Sequence, residues 1–144
     1  MASELSKGHY EALAEFRHAL RRFQRFSDEA ARNADLEPQQ HQLLLAIKGS
    51  ADDRLSVGAI AERLQIQHHS AVELIARAEA RNLVHRAHGQ ADRRVVFVTL
   101  TELGTDALRD LTATHRRELL TAAPELIRIL QRIIADDTSV DGAS

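Results

Sequence analysis

The stretch LSVGAIAERLQIQHHSAVELIARAEARNLVHR, from Leu55 to Arg86, carries two short amphipathic runs on either side of a brief interruption. In the first, Ser56 is placed to cap a helix that carries Ile60, Ala61 and Leu64 on one face. The segment QIQ then breaks the pattern, with Ile66 as its only large apolar group. A second helix is expected from about His68 to Arg81, burying Ala71, Leu74, Ile75 and Ala78. Asn82 suits the left-handed position past its end, and Leu83 packs back. Two short helices around a tight turn with one apolar residue read as a helix-turn-helix.

What surrounds this motif completes a fold. Downstream, two β-prone runs, Leu83–Arg86 and Val95–Leu100, flank a polar loop from Ala87 to Arg94, which predicts a hairpin with the tip HGQADRR. Upstream, LEPQQHQLLLAIKG predicts a helix with Pro38 in its first turn and Gly49 at its close. SADDR reads as a loop. From Glu4 to Ala34 an apolar seam at Leu13, Phe16, Leu20, Phe23, Ala30 and Ala34 predicts a long helix, with Ser27 interrupting the seam. Thr101 and Glu102 start another long helix, and Pro124 predicts a break or kink before Leu126, Ile127, Leu130, Ile133 and Ile134 resume an apolar face. The fold class is therefore mainly α with a small β-hairpin wing: a winged helix-turn-helix domain flanked by N- and C-terminal dimerisation helices. The expected organisation is a helix in 1–35, the DNA-binding lobe in 36–100, further helices in 101–135 and a disordered tail in 136–144. The end helices carry more apolar surface than one small domain needs, and a two-fold homodimer is the commonest way to bury it.

Composition narrows the function. The 144 residues include no cysteine, which excludes disulfides, thiolate metal ligands and thiol redox sensing. No apolar segment has the length of a membrane span or a secretory leader, so a cytoplasmic location without membrane contact is expected. The net charge of −2 is unevenly spread. Arg54 to Arg94 holds seven arginines against four acids, a local +3, while the rest carries twelve basic and seventeen acidic groups. A basic middle between acidic flanks is what one nucleic-acid face produces.

The pair His68–His69 beside Ser70 admits three readings. Catalysis is disfavoured because adjacent helical residues project about 100° apart, which keeps His69 off Ser70, and no acid is placed to orient either ring. Metal binding on a helix needs i,i+3 or i,i+4 pairs, and only His69–Glu73 has that spacing. The other histidines (His9, His18, His41, His85, His88, His115) are scattered, and a metal-responsive regulator requires them to meet across a dimer. Display to a partner fits best. The start of the helix offers free N–H groups to phosphate, and short polar side chains there reach base edges in the major groove. Gln67, His68, His69, Ser70, Glu73 and Arg77 lie away from the apolar stripe. Glu73 is discordant near DNA unless it accepts from a cytosine amino group or pairs with Arg77 at i,i+4. In the hairpin tip, Arg93 and Arg94 suit the minor groove or phosphates, with Asp92 orienting an arginine.

These residues resemble the MarR family (multiple antibiotic resistance regulators), winged helix dimers that usually repress transcription. LEPQQHQLLLAIKG, SVGAIAERLQIQHHSAVELIARAEARNLVHR and ADRRVVFVTLTELG, with its LT-x-x-G ending, carry the resemblance over about half the chain. Asn82 stands where the family often has glycine, and the missing cysteine sets the chain apart from the peroxide-sensing and zinc-sensing branches. The resemblance implies that Ser56 and the Gln67–Ser70 turn contact an operator with Arg77 behind them, and that Arg93 or Arg94 enters the minor groove braced by Asp92. Arg86 and His88 of the hairpin join this DNA-binding set. It also implies a cleft for a small, often anionic aromatic effector, lined by Phe16, Leu20, Phe23, His41 and Leu44, with Arg17 or Arg21 for a carboxylate. The aromatics serve equally well as plain core.

The expectation is thus a homodimeric, sequence-specific regulator of transcription, acting as a repressor on double-stranded DNA, with no catalytic residues, resident metal or cofactor. The alternatives are the metal-responsive regulator and a dimeric helical interaction module without DNA binding.

Overall fold

The computed structural model describes residues 4–138. Its elements run α1 (Lys7–Asn33), α2 (Pro38–Lys48), β1 (Arg54–Ser56), α3 (Val57–Leu64), α4 (His68–Ala80), β2 (Val84–His88), β3 (Val96–Leu100) and α5 (Glu102–Thr138). The last residues of the expected tail, 139–144, lie outside the described part. The chain divides into two compact units, Asp28–Ala113 and the described part of Met1–Ser27 with Thr114–Ser144. Both α1 and α5 contribute to each.

The unit Asp28–Ala113 is the winged helix-turn-helix. Leu43, Leu44 and Ile47 of α2, Ile60 of α3 and Leu74 and Ile75 of α4 are fully buried together, joined by Val84 and Val98 of the sheet. Ala31 and Leu36 before α2, and Leu108 and Leu111 in α5, close the same cluster, which is why the unit is wider than residues 36–100. The cluster is aliphatic, as a chain with five aromatic residues requires.

Local chemistry sets each boundary. Pro38 opens α2, where its missing N–H costs nothing, and Glu37 N–H donates to Gln40 Oε1 at 3.1 Å. Ser56 caps α3, its Oγ accepting from Ala59 N–H at 3.1 Å. Gln65 then turns left-handed at φ 54°, and Ile66 N–H donates back to Ala61 O at 3.0 Å. That bond closes the tight turn and presses Ile66 onto the core. Asn82 does the same after α4 with φ 60°, and Leu83 N–H returns to Ala78 O at 3.0 Å.

The sheet has three antiparallel strands in the order β1-β3-β2. β2 runs to His88 because Ala87 and His88 pair with Phe97 and Val96, so the expected loop from Ala87 begins two residues later. β1 falls at the end of SADDR and its neighbours, where a loop was expected. Arg54, Leu55 and Ser56 pair with Thr99, Val98 and Phe97.

At the start of α5, Thr101 Oγ1 accepts from Gly104 N–H at 2.9 Å and donates to Asn82 O at 2.7 Å. The helix therefore starts hard against the end of the helix-turn-helix. A Cβ on Gly104 would lie 2.1 Å from Leu83 O, so only glycine permits this approach.

In the other unit, Ala12 and Ile129 are buried, and Arg132 reaches Glu11 at 3.0 Å and Glu15 at 3.4 Å. Leu13, expected in the seam of α1, is 56% exposed, and Ala12 takes the buried position instead. Ser27 does not interrupt packing. Its buried hydroxyl meets His115 Nε2 at 2.8 Å, while Phe23 and Phe26 set their rings edge-on to the imidazole. The expected break at Pro124 is absent, and α5 continues through it. Proline removes the hydrogen bond to the carbonyl four residues back, and here that residue, Leu120, lies in an exposed stretch. Among the described residues no helix is long and apolar enough to cross a membrane.

Candidate nucleic-acid interface

The N-terminal turn of α4 is open to solvent. Gln67, the N-cap residue, makes no side-chain capping bond, and Gln67, His68 and His69 are exposed. The first N–H groups of the helix thus stand without a side-chain cap at its positive dipole end, the arrangement that suits an anion. Ser70 is half-buried.

Beside this helix end, an open cleft of about 460 Å³ lies between α3, α4 and the wing. Ser56 at the cap of α3 and Gly58 on α3 border it, with His68 and Val72 on α4 and Arg86 and Arg94 on the wing. Four expected site residues, Ser56, His68, Arg86 and Arg94, are therefore brought together. The Ser56 hydroxyl is already an acceptor for the α3 cap, which leaves its O–H free to donate.

The wing tip is braced internally. His88 Nδ1–H donates to Arg93 O at 2.7 Å, and Gly89 N–H to Val95 O at 2.8 Å. Asp92 holds Arg94 at three points: its backbone N–H at 3.0 Å, Nε at 3.2 Å and Nη2 at 3.3 Å. The Arg94 side chain nevertheless remains 92% exposed. It is fixed at its base and presented outward. The guanidinium hydrogen bond, followed by the backbone one, holds the Asp92 carboxyl below the usual carboxylate range. Arg93 is exposed alongside.

Arg86 is held differently. Its Nη2 donates to Glu79 Oε1 at 2.8 Å and its Nε to the same oxygen at 3.2 Å. This hydrogen bonding lowers the Glu79 pKa and raises that of Arg86. Arg86 thus ties the wing to α4 before it faces any partner.

Arg77 departs from the sequence expectation. Its Nε lies 3.3 Å from Glu37 Oε2 at the start of α2, so the i,i+4 pair with Glu73 does not form. One turn on, Arg81 donates to Gln40 Oε1 at 2.8 Å and to Asp35 O. Glu37, forty residues away in sequence, was invisible to helix-face reasoning. The exposed Val72 and Ala76 on α4 were missed too, although the i+4 step from His68 to Val72 marks a shared side. So was Arg54, stacked 4.3 Å above the Phe97 ring.

Of the expected effector residues, His41 and Leu44 are buried in the winged unit. Phe16, Leu20 and Phe23 are half-buried and Arg17 and Arg21 exposed on the α1 segment of the other unit. Among the described residues, no three histidine or carboxylate side chains gather in a metal-binding group.

Comparison with known proteins follows the same segment. The MarR family model matches residues 34–95, from the turn before α2 to the wing tip. The HTH-type transcriptional repressor MdtR of Bacillus subtilis (strain 168) is 34% identical over 89 residues. That match takes in 61% of this chain but only 56% of the relative, so the chain spans little more than half of its length. Among solved structures, AbsC, a MarR family transcriptional regulator from Streptomyces coelicolor, superposes with a TM-score of 0.75 at 20% identity, covering 98% of this chain and 99% of that one. Sco3205, another MarR family regulator from Streptomyces coelicolor, solved in complex with DNA, gives 0.74 at 21% identity, covering 100% and 94%. At such identities the structural likeness speaks for the fold. Joined to the family match across the helix-turn-helix and wing, it makes the chain similar to the MarR family over residues 34–95 and gives it the fold of those winged-helix regulators.

Proposed function

We propose that this protein is a sequence-specific DNA-binding regulator of transcription, acting as a homodimeric repressor. The observation that carries the reading is the pairing of the uncapped, histidine-bearing start of α4 with the braced but outward Arg94 across one cleft. The helix end offers N–H groups and short donors for a major groove, and the wing offers a pre-set guanidinium for phosphate or the adjacent minor groove. Sco3205 was solved with DNA and MdtR is named a repressor, and both support carrying the activity over.

A dimer is part of the proposal. On α5, Leu120, Ile127 and Ile134 repeat every seven residues and are each more than half exposed. Exposed apolar side chains in such a row need a partner, and a second copy is the commonest one. Two copies present two α4 helices, which calls for a pseudo-palindromic site with half-sites about 10 bp apart. Release by a small anionic aromatic molecule remains part of the reading through the family resemblance. Such a molecule must bind the DNA-incompetent arrangement more tightly than the competent one.

The test is selection of binding sites from random duplex DNA at about 0.15 M salt. A two-fold symmetric motif is expected. A folded protein that enriches no motif is instead an interaction module.

A further inference from the structure

Along α4, His69, Glu73, Ala76 and Ala80 are all exposed and follow one another at steps of four, three and four. At about 100° per residue they form one line, opposite the buried Ala71, Leu74 and Ala78. Glu73 therefore stands in the middle of the helix face that a major groove would receive. A carboxylate there works against DNA binding unless something uses it.

The arrangement of its neighbours leaves it unused by the protein itself. Arg77 is committed to Glu37, Arg86 to Glu79 and Arg94 to Asp92. No hydrogen bond or ion pair of the Glu73 side chain occurs among the described residues. The next two positions on its line are alanines, so no long side chain holds the helix away from a groove floor. A glutamate carboxylate beside methyl-sized neighbours reaches base edges.

An ionised carboxylate only accepts hydrogen bonds. In the major groove guanine shows two acceptors and thymine an acceptor with a methyl group. Adenine has an amino donor, but its N7 acceptor stands beside it and repels the second carboxylate oxygen. Cytosine offers its N4 amino group without that neighbour. We propose that Glu73 is a specificity-determining residue that reads the amino group of a cytosine in each half-site. This rests on the DNA-binding reading above.

Parallel selections from random duplex DNA with the wild-type protein, Glu73→Gln and Glu73→Ala test it, with circular dichroism checking that each variant is folded. The wild type should enrich one C·G pair at a fixed place in each half-site. Glu73→Gln should replace it by A·T, because an amide pairs with both N6 and N7 of adenine. Glu73→Ala should lose preference at that position and keep the rest of the motif. Changing that pair in the wild-type duplex should weaken wild-type binding about tenfold and leave Glu73→Ala unaffected. Identical motifs from all three proteins overturn the role of Glu73 while DNA binding stands. No motif from the wild type overturns both readings.

Discussion

Arg77 Nε lies 3.3 Å from Glu37 Oε2, and this contact joins the flank of α4, the helix proposed to face DNA, to the start of α2. Both side chains are about half exposed, so the pair is a surface ion pair of little net worth, and a DNA phosphate must compete with Glu37 for the guanidinium. Glu37→Gln is expected to change stability by no more than about 0.5 kcal/mol. It should raise duplex affinity a few-fold and steepen the slope of log K against log salt by up to about one. Fluorescence anisotropy over a salt series reads both. An unchanged affinity and slope would mean that Arg77 stays clear of the phosphates.

Arg94 is expected to act in the opposite sense. Arg94→Ala removes an outward guanidinium, so affinity should fall and the salt slope flatten by about one. Asp92→Asn leaves the arginine charged but weakens its brace. Affinity should drop with the slope retained, because the phosphate contact survives in a less ordered wing. Equal slopes for Arg94→Ala and the wild type would remove Arg94 from the backbone contacts.

The two carboxylates paired with wing arginines carry a pH signature. Asp92 and Glu79 both have lowered folded pKa values, through their hydrogen bonds with Arg94 and Arg86. Each contribution is fully present above the ordinary carboxylate value and is lost only as pH falls through the lower folded one. The wing brace should therefore be constant from neutral pH down to about 4.5 and loosen in more acid solution. Carboxyl NMR titration is the check. A midpoint for either group at or above its ordinary value would show the pair unformed in solution.

Gly104 and Gly58 make a matched stability test. Gly104→Ala drives a methyl into Leu83 O and should cost at least about 2 kcal/mol, loosening the junction of α5 with the sheet. Gly58→Ala meets nothing within 4 Å and should be neutral or stabilising by about 0.5 kcal/mol. Urea denaturation separates them, and equal midpoints would deny the close approach at Gly104.

The exposed α5 row sets the oligomeric state in the proposed dimer. Ile127→Glu combined with Ile134→Glu should halve the mass seen by light scattering while leaving the helix content in place. An unchanged mass would put the interface elsewhere.

Local chemistry was legible before the structure was. The Ser56 cap, Pro38 at the start of α2, the left-handed Asn82 and the limits of α4 all depend on a few adjacent residues. What escaped depends on distant partners. Three residues, Arg54 to Ser56, have no strand pattern of their own and become β1 only because β3 has a free edge. Periodicity could not separate Leu13 from Ala12, since both lie near the α1 seam and the packing surface decides which is covered. Of the candidate site, the helix face was readable from its spacing. The destinations of Arg77 and Arg86, on Glu37 and Glu79, were not, and they determine which charges are left for a partner.

The most direct measurement is the affinity of the purified protein for its selected duplex against a scrambled duplex of equal composition, at one fixed salt concentration. A ratio of about 10³ or more is expected if α4 reads base edges while the wing holds the backbone. A ratio near one, with binding that vanishes as salt rises, would contradict sequence recognition and leave only electrostatic attraction.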